Sequence, residues 1–217
     1  MQLVMVRHGE STGNITRILQ GRDESLTERG RAQAHAVARA IAQRYDVRAL
    51  YASPLARAFE TASIIGAAVG LTPEPREPLA EINVGHAVGL TIKEWVAKYP
   101  DQEQSWLAQG VEFVWPGGES GRQLGMRMAA ELDRIIAQHR SDDGAVVVVS
   151  HGGALAWAVG YLLEESLESW PAHEFDNCSV TEVKVEASAE DGLRFVCRND
   201  VGHLSAVPNE EVATGRL

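Results

Sequence analysis

The chain has 217 residues, 45% of them hydrophobic and 23% charged, with a formal net charge of −10 at pH 7. That length suffices for one α/β domain with a sizeable core, and no linker, repeat or low-complexity stretch divides it, so residues 1–217 are expected to form a single domain. The acidic balance, without a basic stripe or tail, argues against nucleic acid as a partner. The first apolar run meets Arg7 too soon for a secretory segment, and no stretch is long enough to span a bilayer; a soluble cytoplasmic protein with no membrane partner is expected.

In chain order, Leu3-Val4-Met5-Val6 reads as a buried parallel strand whose carboxyl end delivers His8 into the loop Arg7-His8-Gly9-Glu10. Thr27 caps a helix whose buried face carries Ala34, Val37, Ala38 and Ile41. The short strand Ala49-Leu50-Tyr51 leads to Ser53-Pro54, read as an N-cap with proline at the first helical position, which sets Arg57 near a helix amino end that favours an anion. Thr91-Ile92-Lys93-Glu94 has the capping-box pattern of a short helix that ends before Pro100. Ser120-Gly121-Arg122-Gln123 opens another, with Leu124, Met128, Leu132, Ile135 and Ile136 turned inward, and Met126 and Met128 are read as core filler. Val146-Val147-Val148-Val149 repeats the setting of the first strand and delivers His151 into Ser150-His151-Gly152-Gly153. A helix through Leu155 and Leu162 follows. Val180-Thr181-Glu182-Val183-Lys184-Val185 and Leu193-Arg194-Phe195-Val196 then read as a hairpin turning at Asp191-Gly192. The expected fold is a three-layer α/β/α sandwich with a mostly parallel central sheet and an antiparallel edge hairpin. Cys178 and Cys197 are placed across that last strand pair, but two cysteines make no disulfide framework and reduced thiols are expected.

Open α/β sheets place ligands at the carboxyl ends of their strands. If the two valine-rich strands are neighbours, His8 and His151 face one crevice. One His-Gly after a strand is commonplace; a pair in matched settings, accompanied by Arg7, Asn14 and Arg57, is not. Guanidinium forks, an amide donor and imidazole nitrogens together suit the oxygens of a phosphoryl group. The net charge does not oppose this, because an arginine at about 4 Å offers on the order of 4 kcal/mol per unit charge at an effective dielectric of about 20, whereas distant surface carboxylates are screened beyond roughly 8 Å.

Several segments then carry a resemblance: Arg7-His8-Gly9-Glu10-Ser11-Thr12-Gly13-Asn14, Gln20-Gly21, Leu26-Thr27-Glu28-Arg29-Gly30, Tyr51-Ala52-Ser53-Pro54-Leu55-Ala56-Arg57-Ala58, Leu79-Ala80-Glu81-Ile82, Pro116-Gly117-Gly118-Glu119-Ser120 and Val149-Ser150-His151-Gly152-Gly153. In this order, over nearly the whole chain, they resemble the histidine phosphatase superfamily, which includes the cofactor-dependent phosphoglycerate mutases. The resemblance implies that His8 attacks phosphorus and carries the phosphoryl group as phosphohistidine. Arg7, Asn14, Arg57 and His151 would surround the non-bridging oxygens, with help from the Gly152 amide. Glu81 would protonate the leaving oxygen and later activate water; it stands in an apolar sequence context, and Glu10 is its substitute. The two arginines would lower the pKa of His8, and a backbone carbonyl on its other ring nitrogen would fix the tautomer.

Substrate contacts are expected from Gln20, Gly21 and His86, under a capping insert at about 82–117. Many relatives have Gly-Glu-Trp-Glu-Gly where this chain has Gly85-His86-Ala87-Val88-Gly89. Trp95, Trp106 and Trp115 in that insert either line an apolar pocket or pack a small cap. Asn199 and His203-Leu204 match a further family pattern whose purpose the sequence does not show.

The leading reading is a metal-independent phosphatase acting on a small phosphorylated metabolite. A phosphoglycerate mutase is the alternative, but the insert is short and leaves less protein to exclude water, which favours hydrolysis. A non-catalytic phospholigand-binding protein would require loss of a core group, and none is missing. No cofactor and no metal are expected, since the partners of a zinc site are not arranged around either histidine and adjacent guanidinium groups repel a cation. The ester and assembly into a homodimer stay open.

Overall fold

The first apolar run forms β1 (Gln2–Arg7), whose central residues Leu3 to Val6 are fully enclosed. The computed structural model describes residues 1–163, 173–185 and 192–207. After β1 come α1 (Thr12–Thr16), α2 (Glu28–Arg44), β2 (Val47–Ala52), α3 (Ala56–Val69) and β3 (Glu74–Pro75). Then follow α4 (Ile92–Lys98), α5 (Pro100–Gln109), α6 (Gly121–His139), β4 (Ala145–Ser150), α7 (Gly152–Leu162), β5 (Val180–Val185) and β6 (Leu193–Asp200). The strands form one sheet in the order β3-β2-β4-β1-β5-β6, parallel from β3 to β1 and antiparallel at β5 and β6. This is the expected α/β architecture with its antiparallel edge. Asp191, in the expected hairpin turn, lies outside the described residues.

The valine-rich strands read as unbroken apolar runs because both faces are covered. Leu3, Met5, Val146 and Val148 pack with α6 and α7, whereas Val4, Val6, Val147 and Val149 pack with α2 and α3. Each such side chain contributes about 1.5–3 kcal/mol on full burial, so neither β1 nor β4 tolerates a register slip that would exchange its faces. The pairing of β1 with β4 runs from Gln2 opposite Ala145 to Arg7 opposite Ser150. Both strands therefore end at one level, and the residue after each is a histidine.

Local signals were reliable where side chains cap helices. Thr27 accepts the Gly30 N–H, and Thr91 with Glu94 and Ser120 with Gln123 form capping boxes. Three expectations need correction. Helix α3 starts at Ala56 rather than Pro54, with Leu55 as its N-cap; the Ser53 hydroxyl accepts the Leu55 N–H at 3.3 Å, ahead of the helix, instead of capping it. Met126 is 65% exposed while Met128 is buried; two residues on from the inward-facing Leu124, position 126 lies on the opposite face of α6. Cys197 pairs across the sheet with Glu182, whereas Cys178 precedes β5, so the two free thiols do not face each other.

Residues 82–117 carry a core of their own. Trp95 is buried against Trp106, Phe113 and Trp115, with ring centroids 4.8–6.0 Å apart. The tryptophans pack one another; none of them lines the cavities described below. Among the described residues, no helix is long and apolar enough to cross a membrane.

Candidate active site

The matched ends of β1 and β4 bring the His8 and His151 rings to 5.0 Å, and both side chains are buried. The His8 Nδ1–H donates to the Gly9 carbonyl at 2.7 Å. That bond fixes the tautomer and leaves the Nε2 lone pair directed at Arg57, whose Nε–H donates to it at 3.3 Å. Burial, then Arg57 and Arg7, holds His8 well below the usual histidine range. His151 is pushed down in the same direction by burial first and then by Arg57, His8 and Arg7. Both imidazoles are neutral at pH 7 for these reasons.

Arg57, the second residue of α3, is anchored by donation to the Gly21 carbonyl at 2.9 Å. Arg7 is held by donation from Nη1 to the Phe175 carbonyl. Its Nε and the Nδ1 of His151 are buried without a partner among the described residues. His151 Nε2 lies 2.7 Å from the Ser53 hydroxyl. A Ser53 hydroxyl that donates to Nε2 puts the imidazole proton on Nδ1, the nitrogen without a partner among the described residues. Asn14 Oδ1 accepts from Ser11 N and from Asn177 Nδ2, both at 3.1 Å, which leaves the Asn14 amide N–H groups for the cavity that this residue lines.

The environment of Glu81 differs from the apolar one expected. Its carboxylate accepts the N–H groups of Ile82, Gly153 and Ala154, each at 3.0 Å, at the amino end of α7. Arg127 holds the same turn by donating to the carbonyls of Pro78, Ala80 and Glu81 at 2.7, 2.8 and 3.1 Å while pairing with Glu119 at 2.7 Å. Glu10 is engaged elsewhere: it pairs with Arg29 at 2.6 Å and accepts the Thr27 hydroxyl at 2.8 Å beside the start of α2.

These groups share a cavity of about 570 Å³ lined by Arg7, His8, Asn14, Gln20, Arg57, Glu81 and Gly152, with Ile18, Leu19, Val84, Leu124, Ala156 and Trp157 making its apolar wall. A second cavity of about 430 Å³ adjoins it, and Gln20, Glu81, Ile82 and Val84 line both. Gly21 lines the second. His86 lines neither; it is exposed and lies against Gly117, so the structure does not bring it to the site. Asn199 and His203, whose purpose was not legible, hold the segment that lines the first cavity at 173–176. Asn199 exchanges hydrogen bonds with Asp176, and His203 donates to the Cys178 carbonyl at 2.9 Å.

Ser53, Arg127 and Asn177 are the residues that sequence reasoning missed. Ser53 stands inside a quoted motif but was assigned to a helix cap. Arg127 lies two helical turns beyond Glu119 on α6, a spacing that signals nothing until the turn at 78–81 is placed beside it. Chemically, two neutral imidazoles and two guanidinium groups converging on one point can surround a phosphoryl group and present a nucleophilic Nε2 to it. Among the described residues, no group of three or more His, Cys, Asp or Glu side chains is arranged to hold a metal ion.

The model of the histidine phosphatase superfamily (branch 1) matches residues 3–200. The chain belongs to this superfamily. Its relatives carry both phosphatase and mutase names. It is 33% identical over 224 residues, 98% of this chain and 99% of the other, to the Yersinia pestis (strain Pestoides F) protein named "Probable phosphoglycerate mutase GpmB". Over 157 residues, 71% of this chain and 67% of the relative, it is 36% identical to phosphoglycerate mutase-like protein 4 of Arabidopsis thaliana. Among solved structures, mycobacterial glucosyl-3-phosphoglycerate phosphatase is similar with a TM-score of 0.77 at 30% identity, over 91% of this chain and 98% of that one.

Proposed function

We propose that this histidine phosphatase superfamily member hydrolyses small phosphomonoesters through a phosphohistidine on His8. The observation that carries the reading is the His8 tautomer: Nδ1–H is tied to the Gly9 carbonyl, and Nε2 faces the cavity between Arg57 and His151 as a neutral lone pair. In the first half-reaction Nε2 forms a bond to phosphorus, the bond from phosphorus to the ester oxygen breaks, and that oxygen takes a proton from Glu81. In the second, water gives a proton to the Glu81 carboxylate and attacks phosphorus, and the P–N bond breaks to release inorganic phosphate. Arg7, Asn14, Arg57 and His151 Nδ1–H stabilise the charge spread over the non-bridging oxygens, as donors already fixed in place before reaction. Gly152 supplies the first N–H of α7, the one that Glu81, bonded to Gly153 and Ala154, does not take. The reading needs no metal ion, because the two guanidinium groups supply the positive charge.

Relatives named as phosphoglycerate mutases favour a second reading, in which the phosphohistidine returns its phosphoryl group to substrate before water intervenes. One experiment separates the two: incubation with a panel of phosphorylated metabolites at neutral pH, reading released phosphate and isomerised product together. Brief incubation should also trap an acid-labile, base-stable phosphoenzyme. His8→Ala should remain folded and lose turnover by on the order of a thousandfold or more. Near-normal turnover in that variant overturns the mechanism, and isomerised product without phosphate release replaces hydrolysis by transfer.

A further inference from the structure

The cavity extends well past the phosphoryl end, and what surrounds the remainder is chemically one-sided. Its wall there is Ile18, Leu19, Val84, Leu124, Ala156 and Trp157. Among the described lining residues the lysine and arginine cations are Arg7 and Arg57, both assigned to the phosphoryl group, whereas the acids are Glu81, Glu174 and Asp176. The adjoining cavity adds Arg22 and Arg127, and both are engaged. Arg22 meets Glu77 through two nitrogens at 2.8 and 3.3 Å, and Arg127 holds Glu119 and three carbonyls. A carboxylate or second phosphate on the substrate would lose its hydration against this wall, where no lysine or arginine among the described lining residues of the first cavity is left over from the phosphoryl group to replace it.

Trp157 has a built seat. Gly121 and Gly125 lie one turn apart on α6; a Cβ at Gly125 would stand 2.6 Å from the indole, and one at Gly121 would stand 3.2 Å from it. The two glycines thus form a notch that lets the ring lie back against α6 as part of the cavity wall. An aromatic face of this kind offers area to an apolar ring or chain without demanding a hydrogen bond.

Resting on the reading that His8 accepts a phosphoryl group, we infer that the alcohol part of the substrate is uncharged and lays an apolar face, of ring size, against Trp157, and that esters bearing a second anion are poor substrates. The notch at Gly121 and Gly125 sets the depth of that subsite, so Gly125 determines specificity without touching substrate.

The test compares three primary alkyl phosphates whose leaving groups need similar protonation: benzyl phosphate, glycerol phosphate and 3-phosphoglycerate. The kcat/KM for benzyl phosphate should exceed that for 3-phosphoglycerate by at least about tenfold, with glycerol phosphate between them. Equal values, or a preference for 3-phosphoglycerate, overturn the inference while leaving the phosphohistidine mechanism intact. Calorimetry on the wild-type protein with benzylphosphonate and 3-phosphonopropionate reads the same selectivity without any chemistry. If no ester is hydrolysed and benzylphosphonate still binds about tenfold more tightly, the catalytic reading falls and this one stands; equal affinities sink it. Two variants localise the effect. Gly125→Ala should push the indole into the cavity and raise KM for benzyl phosphate about fivefold more than KM for glycerol phosphate. Ile18→Lys, at a half-exposed position on the wall, should narrow the gap between benzyl phosphate and 3-phosphoglycerate by about tenfold. Parallel changes for all esters in both variants overturn the assignment of this wall to the alcohol.

Discussion

The two ends of the cavity are built from different materials. At the phosphoryl end, these groups sit just after the end of a strand or in the first turn of a helix: His8 after β1, His151 after β4, Arg57 on α3 and Gly152 at the start of α7. Their positions follow from the β1–β4 register and from backbone hydrogen bonds, and the histidines and Arg57 are buried. At the alcohol end, much of the lining comes from connecting segments at 18–20, 82–84 and 173–176, laid against the α6 and α7 walls. The contrast teaches a division of labour: chemistry rests on elements that cannot shift without exchanging core faces, and selectivity on segments that can vary around them. Substitutions at the first end should therefore affect every ester alike, and substitutions at the second should change the order of preference.

Glu81 lies where the two ends meet, and its replacement should produce the largest effect that depends on the alcohol. Glu81→Gln removes the proposed proton donor, so turnover of an alkyl phosphate should fall by about 10²–10⁴-fold, while an aryl phosphate, whose leaving group departs with little help, should lose far less. Phosphoenzyme should accumulate with the aryl ester, because the proposed mechanism has the same carboxyl group activate water. An equal fall for both esters without accumulation would make Glu81 a helix-capping residue, consistent with its bonds to Gly153 and Ala154 alone.

Arg57→Ala tests the opposite limb of the comparison. On the proposed mechanism it deletes a donor to the non-bridging oxygens, so turnover should fall by about 10²–10³-fold by the same factor for alkyl, aryl and charged esters, and inhibition by vanadate should weaken in parallel. A loss that depends on the alcohol would move Arg57 to the selective end and break the division.

The same division explains what the sequence disclosed. His8 and His151 were legible because a β-branched run of fixed length ends in each, and parallel pairing then brings them together; their separation of more than a hundred residues is bridged by a register that the core enforces. The capping residues Thr27, Thr91 and Ser120 were legible because their partners lie three residues away. The interactions that escaped are long-range polar ones. Ser53 reaches His151 across neighbouring strand ends, Arg127 reaches three carbonyls of a turn more than forty residues earlier, and Asn177 joins the His8 carbonyl to Asn14. No local periodicity encodes such contacts. His86 escapes for the complementary reason: it stands where this chain departs from its relatives, on an exposed loop outside both cavities, and a loop sequence without periodicity does not tell which way a side chain turns.

The smallest effect expected is on stability, and it asks whether the phosphoryl end is as dry in solution as its burial implies. His8 and His151 are held well below the ordinary histidine value, by desolvation first and then by Arg57 and Arg7. Below a pH of about 6.5 the unfolded chain binds protons at these positions that the folded protein refuses. The unfolded state therefore gains relative stability as pH falls, and stability rises again as pH climbs through this window. Each histidine contributes a slope of up to about 1.4 kcal/mol per pH unit, and between about pH 6.5 and 5 the carboxylates have not yet begun to dominate. Urea midpoints measured in phosphate-free buffer at pH 7, 6 and 5 should fall for the wild-type protein and fall much less for the His8→Asn, His151→Asn double variant, whatever its absolute stability. An identical slope in the two proteins would mean that the imidazoles take up protons while folded. Water would then reach the end of the cavity built on strand ends as readily as the end built on loops, and the neutral His8 nucleophile would have to be secured by the Gly9 carbonyl and the arginines alone.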